Sequence, residues 1–355
     1  MMIDYILEQP AVIEAAIRAS SALVGNFCSF FSRCAPDRLY LIASGTSYNA
    51  CRAAERFIEE VLGLEVTVAP PSRVPIIWGE RPLIVLVSQG GNSINILNAQ
   101  NELSNHKCIG ITANIRGALL SNGMPYQLIP CGDENVGPKT KGYTATIIIL
   151  YLIALHCAIR ANKVTPERFD AWMLDLLTMC SQMRGNLKLA EDWIRNNKES
   201  MKKIGTCFVV GKGQSAAIAM EASLKLTETV LVATMPFDFE EFLHGPACAI
   251  REGIAGVYLL PDERDSDYKR FLKVVEMHRK VSNQVYTVGW SEQLEDTRDC
   301  VLLPPTNRHN VPFGLVLPFQ LMGALLPEMF GLVDKGMDYF KALDKELSIK
   351  TELEF

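Results

Sequence analysis

RLYLIASGTS (residues 38–47) and, 168 residues further on, TCFVVGKGQS (206–215) follow one plan: an apolar run of strand length, then a short loop of small residues. A helical pattern comes next in both places, YNACRAAERFIEEVL in the first and AAIAMEASLKLTETVL in the second. The likeness continues outward. PLIVLVS (82–88) answers GIAGVYLLP (253–261), HKCIGITAN (106–114) answers NQVYTVGWS (283–291), and YQLIP (126–130) answers DCVLLPP (299–305). Each half then ends in a long apolar helical stretch, TATIIILYLIALHCAIRA or FGLVLPFQLMGALLPEMFGL. Strands that are apolar throughout belong to parallel sheets covered on both faces. Their alternation with helices indicates an α/β fold with two doubly wound parallel-sheet domains related by internal duplication.

A chain of 355 residues suits two domains of ordinary size. The reading places an N-terminal helical segment at 1–35, a first domain at 36–162, a helical connector at 163–202, a second domain at 203–332 and a tail at 333–355. The connector is expected to be helical because it is not rich in Gly and Ser, and because Thr165 can cap a helix whose first residue is Pro166. The tail is mixed and polar, compatible with a strand, a helix or an arm over a site.

Net charge is −5 with no Lys/Arg block, which argues against nucleic acid as a partner. The ten cysteines form no CxxC pair and fall mostly in apolar runs, as buried, reduced thiols of a cytoplasmic protein would. The N-terminus has acids and a proline where a signal peptide needs a basic start. The longest apolar run, 147–159, is shorter than the roughly 20 residues that span a bilayer and reads as a buried core helix, so no membrane partner is expected.

In open α/β sheets, ligands bind beyond the carboxyl ends of the strands. Two such ends carry hydroxyl and amide donors, Ser44-Gly45-Thr46-Ser47 and Ser88-Gln89-Gly90-Gly91-Asn92-Ser93, and both precede helices whose free N–H groups favour an anion. Either loop alone is also what an ordinary strand-to-helix turn looks like; two on neighbouring strands point to a phosphomonoester. Neither a GxGxxG in register nor a GxxxxGK[ST] is present, so dinucleotide and NTP binding are poorly supported. In the second half DERDSD follows the corresponding strand and would repel a phosphate.

The second half carries proton chemistry instead. EASLKLTETVLVATMPFDFEEFLHGP (221–246) sets Lys225 and Glu228 three apart on one helix face, with His244 beyond a short loop that ends in Gly245-Pro246. A carboxylate, an imidazole and an ammonium suffice for aldose–ketose proton transfer, although a Lys-x-x-Glu pair is also an ordinary solvated helix pair. His156 reads as a core residue. His106, His278 and His309 lack ligand-spaced partners, so no metal site is expected. Tyr48 and Tyr143 follow the candidate loops and could line a pocket or pack.

SGTSYNA (44–50), SQGGNS (88–93), ENVGPKTKGYT (134–144), GKGQSAAIAMEASLKLTE (211–228) and EFLHGP (241–246) together resemble the tandem sugar isomerase (SIS) domain family. The likeness extends from about 36 to 345, closest in kind to the isomerase half of glutamine–fructose-6-phosphate amidotransferase and to stand-alone phosphosugar deglycases. It implies flavodoxin-like three-layer domains and a cytoplasmic enzyme without metal or other cofactor. It also implies a homodimer or higher homo-oligomer with a shared active site. Position by position, it implies that Ser47, Ser88, Gln89 and Ser93 bind the 6-phosphate with Thr46 and Gly90 close by. Gly45, Asn92, Lys139 and Thr140 would approach the sugar. Glu228 would shuttle the C1/C2 proton, His244 from a neighbouring subunit would assist ring opening, and Lys225 would orient Glu228 or the sugar oxygens.

Three departures stand out. Gly90 replaces a serine of the amidotransferase loop, with Asn92 as a possible compensation. The amidotransferase's C-terminal lysine aligns with Leu347, Lys345 and Lys350 being imperfect stand-ins. No glutaminase domain or nucleophilic cysteine after Met1 is seen, so ammonia is not expected in cis. The reading that follows is a deglycase acting on fructoselysine or glucoselysine 6-phosphate. A glucosamine 6-phosphate isomerase or deaminase, or a sensor without turnover, are the alternatives. Asp238, Glu240 or Glu241 could hold a substrate ammonium or simply be solvated.

Overall fold

The computed structural model describes residues 1–291, 294, 299–333 and 335–351. Helices α1 (Met2–Arg18), α2 (Ser20–Leu23) and α3 (Gly25–Cys34) precede β1 (Arg38–Ala43), α4 (Gly45–Leu62), β2 (Glu65–Ala69), β3 (Pro82–Val87), α5 (Ile94–Glu102), β4 (Lys107–Thr112), β5 (Tyr126–Leu128) and α6 (Lys141–Arg160). Then follow α7 (Pro166–Met201), β6 (Thr206–Gly211), α8 (Gln214–Lys225), β7 (Ala233–Asp238), α9 (Phe239–Leu243), β8 (Ile254–Leu259), α10 (Tyr268–Arg279), β9 (Val285–Gly289), β10 (Cys300–Leu302), α11 (Val311–Leu315), α12 (Leu317–Phe330) and α13 (Lys335–Leu347). Two compact units result, one of Glu8–Leu177 with Tyr339–Phe355, the other of Met1–Leu7 with Thr178–Asp338.

Each unit holds a five-stranded, all-parallel sheet. The orders are β2-β1-β3-β4-β5 and β7-β6-β8-β9-β10, the same winding twice. The expected duplicated α/β architecture is therefore the observed one. Two strands escaped the sequence reading, β2 and β7, which occupy the same edge position in their sheets. Both are edge strands and lack an unbroken apolar run. EVTVA begins with exposed Glu65 and leaves Thr67 partly exposed, and ATMPFD carries Pro236, which an edge strand tolerates because one side of it has no ladder to complete. The stretch read as a short loop before His244 is thus β7 followed by α9.

In the first sheet, Tyr40, Ile42, Ile84 and Leu86 on one face pack against Ile96 and Ala99 of α5 and Leu103 just beyond it. On α4, Phe57 stacks on Tyr151 of α6 at 3.8 Å. Helix α6 is buried from Lys141 to Ala158, as its uninterrupted apolar sequence demands. Lys141–Arg160 and Arg308–Phe330 are long and apolar enough to cross a membrane, but 94% and 78% of their most apolar windows are buried inside the protein. In the second sheet the core is aromatic: Phe208 meets Phe242 edge-on at 5.5 Å, and Tyr258 meets Phe271 at 5.9 Å. All ten cysteines are free, and only Cys34, Cys108 and Cys248 are not buried.

Two histidines are built into these cores as neutral groups. His278 Nε2 lies 3.1 Å from the Ile254 carbonyl, which can only accept, so Nε2 carries the proton and Nδ1 accepts from Tyr258 Oη at 2.9 Å. His156 Nε2 is 2.9 Å from Ser20 Oγ. Burial lowers the pKa of both; the nearby Arg160 charge adds to the effect at His156. A group with a depressed folded pKa binds fewer protons folded than unfolded. Its contribution to stability is intact above about pH 6.5 and is lost as pH falls through the folded value. Urea-unfolding midpoints should therefore fall between pH 7.5 and pH 5, and His278→Gln should flatten that dependence. A Cβ at Gly256 would sit 2.7 Å from His278 Nδ1. Gly256→Ala should thus destabilise the second sheet by about 1–3 kcal/mol in the same measurement, as overpacked cores do.

Candidate functional site

The reversal of winding in the first sheet lies between β1 and β3, which pair side by side up to Ala43 and Val87. Both candidate loops leave from this point. Gly45 adopts φ +55°, a left-handed conformation that glycine enters without steric cost, and so turns β1 sharply into α4. Ser44 is the N-cap of α4 but makes no capping bond with its side chain; its Oγ accepts from Asn95 Nδ2 at 3.1 Å, which ties the two loops together. Thr46, Ser47 and Tyr48 are partly exposed on the first turn of α4. In the second loop Ser88 is buried, its Oγ accepting from the Gly91 amide at 3.2 Å. Gly91 (φ +68°) runs so close to Gly117 that a Cβ would lie 3.2 Å from its Cα. The Gly90 carbonyl accepts from Asn114 Nδ2, and Asn92 Oδ1 accepts from the Ala118 amide at 2.9 Å, so the Asn92 oxygen is committed to the scaffold. Ser93 caps α5 without a side-chain capping bond.

Several side chains that the sequence reading placed at the ligand are held by one acid it did not single out. Glu134 is buried. Its Oε1 accepts from the Thr140 amide (2.7 Å), the Thr140 hydroxyl (3.0 Å) and the Lys141 amide (2.9 Å), and its Oε2 accepts from the Gly142 amide (2.9 Å) and Gln89 Nε2 (2.8 Å). Lys139 Nζ donates to the Glu134 carbonyl. Thr140 is fully buried. Tyr143 is fully buried in α6, a packing position. Glu134 opens the 134–144 motif, but no capping pattern announces its role: it precedes α6 by seven residues, outside the capping spacings that sequence reveals.

The tail reaches the same loop. The Ile94 amide donates to the Ile349 carbonyl (3.1 Å), and the Thr351 amide donates to the Asn92 carbonyl (3.0 Å), with Ser93 and Lys350 bridged antiparallel. Buried Asp344 fixes the turn before Lys350 by accepting from the Lys350 amide. Of the two tail lysines weighed as stand-ins, Lys350 is the one whose backbone meets the loop. Its ammonium lies 5.8 Å from the Phe340 ring centre. Residues 352–355 lie outside the described part.

In the other unit, Lys225 ends α8 and is fully buried, not one member of a solvated helix pair. Its Nζ lies 2.7 Å from Glu228 Oε2 and 3.5 Å from Oε1 of Glu221, itself fully buried. Burial presses the Lys225 pKa down, but Glu221 and Glu228 outweigh it and hold it above the ordinary lysine value, so the ammonium stays charged. Glu228 stands on a π-helical turn, Leu226–Val230, closed by Leu231 in the left-handed region (φ 59°). Such turns are rare and concentrate at functional sites. A Cβ on Gly336 would lie 2.7 Å from the Glu228 carbonyl, so the chain at the start of α13 packs directly on this turn. The Glu228 side chain is 33% exposed, with Oε2 held by Lys225. The arrangement is a carboxylate of fixed position with one oxygen spoken for.

His244 ends α9 and is exposed. Among the neighbouring acids, Asp238 caps α9 through the Glu240 amide and Glu240 pairs with Arg270 at 2.6 Å, whereas Glu241 is exposed with no ion pair among the described residues. The second half's counterpart of the first loop is closed by charge: Lys212 pairs with both Asp265 and Asp267, at 2.8 Å from the latter. Two of the four DERDSD acids thus bind the chain's own lysine. His106 is exposed, His309 is buried, and no cluster of three or more His, Cys, Asp or Glu set to hold a metal ion occurs among the described residues.

No protein-family model matches the chain. Over 366 residues it is 27% identical to a glutamine–fructose-6-phosphate aminotransferase (isomerizing) of Streptococcus pneumoniae, covering 99% of this chain and 58% of that protein. The chain thus spans a little over half the length of the curated relatives it matches. In fold it is similar to the C-terminal domain of glucosamine–fructose-6-phosphate aminotransferase from Francisella tularensis, with TM-score 0.83, 20% identity and coverage of 93% of this chain and 96% of that one. It is also similar to a glucosamine-6-phosphate deaminase from Thermotoga maritima, with TM-score 0.71, 20% identity and coverage of 93% and 95%. In sequence and in fold, the chain resembles the paired sugar isomerase (SIS) domains of the glutamine–fructose-6-phosphate aminotransferases, as its own motifs imply.

Proposed function

We propose that this chain is a phosphosugar deglycase, acting on the 6-phosphate of a fructosamine- or glucosamine-type amino-acid conjugate. The observation that carries the reading is Glu228: a partly exposed carboxylate on a π-turn, one oxygen fixed by a buried ammonium, in a chain related to enzymes named for fructose 6-phosphate. The phosphate would be held by the loops at 44–47 and 88–93, through hydroxyls of Ser47 and Ser93 and backbone amides at the α4 N-terminus. Glu228 would take the C1 proton of the aminoketose and return it to C2 through an enaminol, leaving an imine between C1 and the amine nitrogen. Water then adds to C1, the C1–N bond breaks, and free amine and glucose 6-phosphate result. An amine on C2 of an aldose would give fructose 6-phosphate by the reverse shift. Lys225 would hold the Glu228 carboxylate in place and aim it. His244, exposed in the single chain, would assist ring opening from a neighbouring copy in a homodimer or larger assembly.

The amino-acid part of the substrate is read from the charges left over. With Asp238 and Glu240 committed, Glu241 is the acid of this group free to meet the ammonium of a lysine conjugate.

Glu228→Gln should lower kcat by about 10²–10⁴-fold while leaving the affinity for fructose 6-phosphate within about threefold, because the amide keeps the shape and loses the base. Full activity in that variant would overturn the reading. Incubation with fructoselysine 6-phosphate, glucoselysine 6-phosphate and glucosamine 6-phosphate, with the hexose phosphate identified, should show release from a lysine conjugate. Turnover of glucosamine 6-phosphate alone would make the chain a deaminase. Glu241→Gln should raise KM for the lysine conjugate by up to about fivefold, the range of an exposed ion pair, and leave glucosamine 6-phosphate kinetics unchanged.

A further inference from the structure

We infer that Glu134 is the positioning residue of the phosphate loop, acting through Gln89; this rests on the phosphosugar reading above. A helix of 20 residues presents free amides and positive potential at its N-terminus, and α6 begins beside the second candidate loop. Those amides are filled from within: Glu134 accepts from the backbone of Thr140, Lys141 and Gly142. The chain's own carboxylate occupies the place an anion would take, which steers an incoming phosphate away from α6 and toward α4 and α5.

The same carboxylate sets the orientation of Gln89. A carboxylate only accepts, so Gln89 must turn its amide nitrogen toward Oε2, at 2.8 Å. Its carbonyl oxygen then lies against Gly142, where an added Cβ would fall 1.9 Å from it. With its side-chain nitrogen held by Glu134, Gln89 contributes its backbone to the loop. Its carbonyl accepts from the Ala113 amide (2.9 Å) and from Thr112 Oγ1 (3.1 Å), fixing the path of the chain between Ser88 and Ser93. Glu134 therefore couples the start of α6 to the geometry of residues 88–93, without touching the ligand.

Glu134→Gln keeps size and shape but sets an NH₂ against the donors of Gln89 and Gly142. Hydrogen exchange of the 88–93 amides in the full chain should then accelerate by about tenfold or more, and the Kd for fructose 6-phosphate should rise by about tenfold, the loss of one charge-assisted hydrogen bond. In a Gln89→Ala background the same substitution should change Kd by less than about twofold yet still lower Tm, because the α6 amides lose their acceptor in both backgrounds. An equal Kd penalty in both backgrounds, or unchanged exchange at 88–93, would overturn the proposal. Should Glu134→Gln fail to fold, Gly142→Ala displaces Gln89 with the acid intact and should give the same faster exchange. If the unmodified chain binds no fructose 6-phosphate, the functional reading fails, and the exchange measurement still decides the role of Glu134.

Discussion

All-parallel pairing is the constraint from which the rest of the molecule follows. Parallel strands cannot be joined by tight hairpins, so each must return through a crossover that lays helices over the sheet. Every strand then delivers its carboxyl end to the same edge, and the helix that follows begins there with unsatisfied amides. The winding reverses between β1 and β3 in one sheet and between β6 and β8 in the other, the kind of switch point at which open α/β sheets place their ligands.

The two halves treat that shared geometry in opposite ways. In the first, Ser44–Ser47 and Ser88–Ser93 set hydroxyls and small residues at the ends of β1 and β3. The excess positive potential at α6 is cancelled by Glu134 and not left for a ligand. In the second, Lys212 is tied to Asp265 and Asp267, and Asp238 receives the Gly213 amide, so the corresponding loop is filled by ion pairs and capping bonds. The duplicated frame therefore repeats the same switch point, while the side chains at its two copies differ.

Buried charge marks the second half's contribution. A lysine removed from water is tolerated because two carboxylates surround it, and taking away either partner of such a cluster would cost about 3–5 kcal/mol. Glu221 has no exposure at all and Glu228 has a third of its side chain exposed, so the cluster is asymmetric: one acid neutralises, the other faces outward. The π-turn under Glu228, and the glycine packed on its carbonyl, hold that asymmetry in the backbone.

The apolar runs, their spacing and their repetition determined the doubly wound class, the duplication, the long helix that begins at Pro166 and the buried character of α6, because these depend on local periodicity and burial. Ser44–Ser47, Ser88–Ser93 and the Lys225–Glu228 pair were legible for the same reason: strand-end loops and helix faces are set by neighbours in sequence. The edge strands β2 and β7, the grip of Glu134 on Gln89, the burial of Lys225 over Glu221 and the pairing of residues 349–351 with 92–94 were decided by tertiary structure alone. Edge pairing, dielectric surroundings and hydrogen-bond partners distant along the chain arise only when separate segments are brought together, and no local pattern encodes which segment will arrive.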